Sequence, residues 1–327
     1  MAVVRLPFGE TVFEEFDLAS ADAGAGKPKE ILLSTLPGAL RSHLAGPPPQ
    51  QIVDWTSDLK PGWIGFNPFK NRLCWLDNGQ TAGSFPKAVT FTGRDDGLGQ
   101  FFALSVRRRP ADAAPPRCYL VAVPASPYRK VQVHVVARSE PPSLTFRFER
   151  HTATMLLEYV KQGAVGSASR LCRVDEISAI ELVDHKAEDP LAGALGLYVL
   201  LSWNALDQIG PRSEKMFEYN PWSADGVIIF AEHLARAGEH TRAREVLLDL
   251  EQRGLPVFSA GFRIALGLLD RYLRAGDDAF GPATGQAERL LDVLEDWARR
   301  VVFAEAITML RVDPATEQRL RAIVPHG

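Results

Sequence analysis

The chain is poor in the residues that staple or metallate small proteins. Its 327 residues include three cysteines, Cys74, Cys118 and Cys172, odd in number and far apart. That excludes a disulfide framework and a four-cysteine zinc site. No stretch reaches 18 uncharged apolar residues, so no membrane span is expected. The first residues lack a basic flank and an apolar run of signal-peptide length, so the expected location is cytoplasmic. Net charge is only −3, which gives no global electrostatic case for nucleic acid or membrane binding. What is present is ordinary globular composition, 46% hydrophobic and 24% charged, which excludes a mainly disordered chain.

The two halves differ in texture. Residues 1–150 hold 16 of the 23 prolines. Proline blocks helix interiors and central strands, so this half is expected to be short elements joined by irregular loops. It carries 18 Lys+Arg against 14 Asp+Glu, net +4, whereas the remainder carries 19 against 26, net −7. The sequence therefore divides into an expected β domain, 1–150, and an expected α-helical domain, 151–327.

In the first half, apolar and polar residues alternate over 130–136 and 143–149, as half-buried antiparallel strands do. Runs at 3–6 and 12–16 read as an opening pair around Pro7-Phe8-Gly9. Runs at 89–92 and 100–106 flank the glycine-rich loop 93–99, where Asp95-Asp96-Gly97 reads as a hairpin turn. A further run covers 120–123. The expectation is an antiparallel β-sandwich of about seven or more strands, with one short helix over 31–44. The aromatic, turn-rich segment 50–86 resists assignment, apart from a strand-like 72–76 around Cys74.

The second half shows helical spacing over 152–161, 174–186, 191–203, 225–237, 240–253, 259–275 and about 284–311. Asp189-Pro190 supplies an N-cap and a first-turn proline. Gly163, Gly238, Gly254 and Gly276 act as stops. Paired helices at this interval suggest an array of the tetratricopeptide kind. The expected class is α+β with two domains.

Chemistry-bearing motifs are scarce. There is no Gly-x-Ser-x-Gly elbow and no phosphate loop. His233 and His240 are seven apart, where a metal-binding helix wants four. His134 sits among valines, and His151 and His185 lie near helix ends, where a cation favours a carboxy terminus. Asp95-Asp96-Gly97 lacks the spaced ligands of a calcium loop. No cofactor and no metal site are expected. Two features stand out instead. Arg107, Arg108 and Arg109 precede a proline/alanine loop of the composition where nicking and docking concentrate. Trp203, Phe217, Tyr219 and Trp222 flank the proline-interrupted stretch 210–221, a joint that can present partner-binding anchors.

Three stretches carry a resemblance. One is Asp189-Pro190-Leu191-Ala192-Gly193-Ala194-Leu195-Gly196-Leu197-Tyr198-Val199-Leu200-Leu201. A second is Asn220-Pro221-Trp222-Ser223-Ala224-Asp225-Gly226-Val227-Ile228-Ile229, which contains the form W-x-x-D-G-x-x-I. The third runs from Arg253 through Gly254, Leu255, Pro256, Val257, Phe258, Ser259 and Ala260 to Gly261. Together they resemble the non-catalytic β-sandwich plus helical module appended to bacterial caspase-like, CHAT or trypsin-like effector proteases of signalling and defence systems. The resemblance covers about 150–275 and brings no catalytic residues. It implies a non-enzymatic regulator, adaptor, inhibitor or substrate of a separately encoded caspase-like protease or signalling protein. The implied setting is antiviral defence, including CRISPR-associated loci, with cleavage at Arg107–Arg109 able to separate strands and release a partner. Two other readings stand beside it: a structural subunit of a larger assembly, and a hydrolase or ligand-binding enzyme drawing on Cys74, His134 and Asp95 between the domains.

Overall fold

The computed structural model describes residues 2–5, 11–14, 63–70, 72–76, 89–92, 100–106, 117–123, 130–136, 141, 143–161, 179–186, 188–276 and 280–323. Packing divides the chain into two compact units, 1–50 and 51–327. In the first, β1 (Ala2–Arg5) and β2 (Thr11–Glu14) pair antiparallel, the opening pair expected around Pro7-Phe8-Gly9. The helix expected over 31–44 lies outside the described residues.

The second unit holds two antiparallel sheets. In chain order its strands are β3 (Trp63–Asn67), β4 (Arg72–Leu76), β5 (Val89–Thr92), β6 (Gln100–Val106), β7 (Arg117–Ala122), β8 (Lys130–Val136), β9 (Ser143–Phe148) and β10 (Met309–Arg311). One sheet runs β10-β7-β6-β3-β4 and the other β5-β8-β9. Leu144, Phe146 and Phe148 of β9 are buried in alternation, as the period-two pattern requires. In β7 every residue from Cys118 to Ala122 is buried, because the strand is flanked by β6 and β10. β5 and β6 sit in different sheets, so the loop 93–99 links two sheets and does not close a hairpin between them. Its glycines and aspartates carry the composition of a turn, and composition cannot name the pairing partner. β3 was not expected. It forms a hairpin with β4 through the turn at Pro68–Lys70, where the Lys70 amide donates to Asn67 Oδ1 at 3.3 Å.

Helices fill the second half. They are α1 (His151–Lys161), α2 (Pro190–Ser202), α3 (Leu206–Tyr219), α4 (Ala224–Arg236), α5 (His240–Leu248), α6 (Leu250–Arg253), α7 (Ser259–Arg274), α8 (Thr284–Ala298) and α9 (Pro314–Ile323), with a helical run at 179–184. Asp189 caps α2 as expected: Oδ1 accepts from the Ala192 amide at 3.1 Å, and Pro190 opens the helix. All residues of α2 from Pro190 to Leu201 are buried, so α2 is the central rod of this half. Gly196 lets the 179–186 segment cross it closely, since a Cβ there would lie 2.6 Å from the Ala179 carbonyl oxygen. Gly238, Gly254 and Gly276 terminate their helices at positive φ.

Two expectations about the helices need correction. Pro211 lies inside α3, where a break had been read. The lost backbone bond is outweighed because Ile209, Ser213 and Met216 form a buried face at helical spacing. The helix expected to run to Arg311 ends at Ala298, and residues 309–311 are a strand. A short apolar run such as Ala306-Ile307-Thr308-Met309-Leu310 has no periodicity that separates buried strand from buried helix. In α1, Ala153, Leu156 and Leu157 face the core and Met155 is exposed.

The C-terminal return ties helices to sheet. Arg311 pairs with Tyr119, Leu310 with Leu120 and Met309 with Val121. The Ala122 amide donates to the Thr308 carbonyl at 2.8 Å, and the Thr308 amide to the Val257 carbonyl at 2.8 Å. Lys161 at the end of α1 binds Glu305 at 3.0 Å and also donates to Ser143 Oγ and the Leu144 carbonyl, both at 2.8 Å. Among the described residues one hydrophobic core runs from Phe66 to Leu320, so packing crosses residue 150.

Candidate protein-binding site

The joint between α3 and α4 is built from the second and third of the quoted motifs. Asn220 Nδ2 donates to the Met216 carbonyl at 3.2 Å, and Ser223 caps α4 by accepting from the Gly226 amide at 3.2 Å. Arg253 then closes the joint from α6. Its Nη1 donates to the carbonyls of Phe217 (3.0 Å) and Asn220 (3.1 Å), satisfying α3's final turn. Its guanidinium lies over the Phe217 ring at 4.3 Å and meets Asp249 at 3.5 Å. The Phe217 ring packs in turn on Phe230, centroids 5.4 Å apart.

The aromatic candidates therefore divide. Phe217 is a stacked member of the joint and Trp222 is half-buried against the core. Tyr219 projects from this rigid base with 65% of its surface exposed. Trp203 caps the far end of α2 and is partly buried. It precedes α3 while Tyr219 ends it, and at about 1.5 Å rise per residue the 14-residue helix holds them about 20 Å apart. Phe217, Tyr219 and Trp222 all lie at the α3–α4 joint, whereas Trp203 lies before the opposite end of α3.

Behind the joint lies a group that the sequence did not single out. Asp225, in the first turn of α4, is completely buried. Oδ1 accepts from the Tyr198 hydroxyl at 2.7 Å and the Phe258 amide at 3.3 Å; Oδ2 accepts from the Val257 amide at 2.8 Å. Burial pushes its carboxyl up to about 6, against the opposing pull of these donors. The same burial, and the neighbouring carboxylate, raise the Tyr198 phenol well above its usual value. Gly261 completes the contact, because a Cβ there would lie 2.6 Å from the Tyr198 hydroxyl and 2.7 Å from Pro256 Cβ. The Tyr198 phenol and the amides of the third motif thus meet on one carboxylate, the Asp of the second. The signal in the sequence was an acid in the apolar run of α4, which burial makes informative.

The remaining candidates fall elsewhere. Arg107, Arg108, Arg109, Asp95 and Cys172 lie outside the described residues. Cys74 belongs to β4 of the five-stranded sheet and His134 to β8 of the three-stranded one. Cys118 is buried in β7. His151 opens α1, the end opposite to the one where a cation is favoured, and His185 places Nδ1 2.9 Å from the Glu181 carbonyl. His233 lies in the last turn of α4, with burial holding its imidazole below the usual value; His240 meets the Tyr272 hydroxyl at 3.2 Å. Among the described residues no three His, Cys, Asp or Glu converge on a metal position, and no helix is long and apolar enough to cross a membrane.

A family model described as the Y4kD C-terminal domain matches residues 155–321, just over half of the chain. The match begins within α1 and ends within α9, and so takes in β10 without its partner β7. No curated protein and no solved structure matches the chain.

Proposed function

The chain belongs to the Y4kD C-terminal domain family, and on that premise we propose that its helical half is a protein-binding module and the whole chain a non-enzymatic partner of another protein. The observation that carries this reading is Tyr219, a large aromatic 65% exposed on a base immobilised by Arg253, Phe217 and Asn220. A held aromatic with a free face loses little entropy on contact, which is why tyrosine and tryptophan dominate interface hot spots. Trp222 flanks it as a half-buried second anchor.

The partner class follows from the resemblance of the W-x-x-D-G and R-G-L-P segments to modules appended to effector proteases. The proposed partner is a separately encoded caspase-like protease or signalling protein of a bacterial defence pathway, the chain acting as its regulator, adaptor, inhibitor or substrate. In the same reading the sheets of residues 63–148 form a β-sandwich and the helices a tetratricopeptide-like array. The antiparallel pairing and the alternating burial of β9 support the first, and the packing of α4 against α3, α5 and α7 supports the second.

The test is co-purification of the full chain with each neighbouring gene product, wild type against Tyr219→Ala. Tyr219 is exposed, so the variant is expected to keep its thermal melt and lose stoichiometric capture. Capture undiminished in a folded Tyr219→Ala, Trp222→Ala double variant refutes this site.

A further inference from the structure

The outer face of α3 carries charge as well as the phenol. Arg212, Lys215 and Tyr219 are spaced three and four apart and so share one stripe. Ile209, Ser213 and Met216 take the buried side. Glu214 falls round the helix from the stripe, tied to Arg242, while Glu218, three residues past Lys215, borders it. The end of the 179–186 segment adds a third cation. Lys186 is half-buried, its amine 3.2 Å from the Val183 carbonyl, and burial first, then the charges of Lys215 and Arg212, hold its ammonium below the usual value. Asp184 faces this group: it accepts from Arg212 Nε at 2.9 Å, and that bond holds it below the usual carboxylate range. Among the described residues three cations stand beside two acids, Asp184 and Glu218, in a half of the chain whose net charge is −7.

We propose that the stripe Arg212–Lys215–Tyr219, with Lys186 beside it, receives an acidic segment of the partner protein. Carboxylates of that segment meet Arg212, Lys215 and Lys186, while an apolar side chain lies on the Tyr219 ring. The charge pattern sets the orientation. An acidic segment is repelled by the surrounding negative half and drawn to this positive stripe, which steers encounter and rejects basic partners. This rests on the docking reading above and specifies the chemistry of its occupant.

The probe is a fluorescein-labelled peptide of glutamates and aspartates around a central tryptophan, compared with the same peptide carrying lysines. Fluorescence anisotropy with the full chain is expected to show binding of the acidic probe alone, weakening as salt rises to about 150 mM. Lys215→Glu is expected to weaken binding by about tenfold or more. Tyr219→Ala is expected to weaken it as well, and Arg289→Glu, exposed on α8, to leave it unchanged. Equal binding of both probes, no binding of the acidic probe, or an affinity untouched by Lys215→Glu overturns the proposal. So does concentration-dependent self-association abolished by Lys215→Glu, which assigns the stripe to a second copy of the chain. The two readings fail separately. Partner capture lost in Tyr219→Ala but kept in Lys215→Glu removes the acidic segment and retains the docking site; capture kept in both removes both.

Discussion

Replacing Asp225 with asparagine separates two forces that act on one buried carboxyl. Burial favours its neutral form, while Tyr198, Val257 and Phe258 aim donors that favour the anion. The balance raises its value from 3.8 to about 6. The folded chain then holds this proton more tightly than the unfolded chain does. The stabilisation that follows is fully present below about pH 4 and is lost as pH rises through about 6, the reverse of the usual aspartate. A rise of about two pH units at about 1.4 kcal/mol each corresponds to about 3 kcal/mol. Asparagine does not titrate, and its amide places a donor against one of the two backbone amides, a constant penalty of about 1–3 kcal/mol. The pH-dependent part is therefore read from the difference between wild type and Asp225→Asn. Urea unfolding followed by fluorescence of the six tryptophans, between about pH 4 and pH 7.5, gives that difference. Wild type is expected to lose about 3 kcal/mol relative to the variant across this window. A difference that does not change with pH refutes the raised value. A slope of opposite sign shows that the three donors outweigh burial.

Arg253→Ala leaves the Phe217 and Asn220 carbonyls without their guanidinium donor and unstacks Phe217, at a cost of about 3 kcal/mol in chemical denaturation. Lysine, lacking the planar fork, is expected to recover only part. Gly261→Ala drives a methyl into the Tyr198 hydroxyl and Pro256, and should lower stability by about 1–3 kcal/mol in a thermal melt. Lys161→Met strands Glu305, whose side chain is 7% exposed, and should cost about 3–5 kcal/mol, with Glu305→Gln in the same chain restoring part of it in a double-mutant cycle.

Local signals in this sequence were readable where one residue type has one physical reason to be present. Asp189-Pro190 named the start of α2, and Gly238, Gly254 and Gly276 named the stops of their helices, because caps and positive φ depend on near neighbours alone. The strands 89–92, 100–106 and 130–136 were legible from β-branched and aromatic runs. Pairing was not, since β5 and β6 flank one loop yet enter different sheets. α3 was hidden by Pro211, whose local cost is overridden by a buried face that only the folded chain supplies. Tyr219 was named in the sequence as an aromatic candidate, but its exposure and its separation from Trp203 needed the helix between them. Asp225 stood inside a quoted motif, yet its meaning depends on amides 32 and 33 residues away.

The pairing of β10 with β7 bears on what a protease could accomplish. A cut at Arg107–Arg109 would fall between β6 and β7, which are held by six register pairs from Phe101–Ala122 to Val106–Arg117. A cut after β9 would leave the C-terminal fragment still laced into the sheet through Met309–Arg311 and its backbone bonds to 118 and 122. Scission alone would therefore yield two interleaved peptides that migrate apart in denaturing gels and together in native mass spectrometry. Any release of a partner would have to come from loosening at the nick, with the fragments remaining a non-covalent heterodimer.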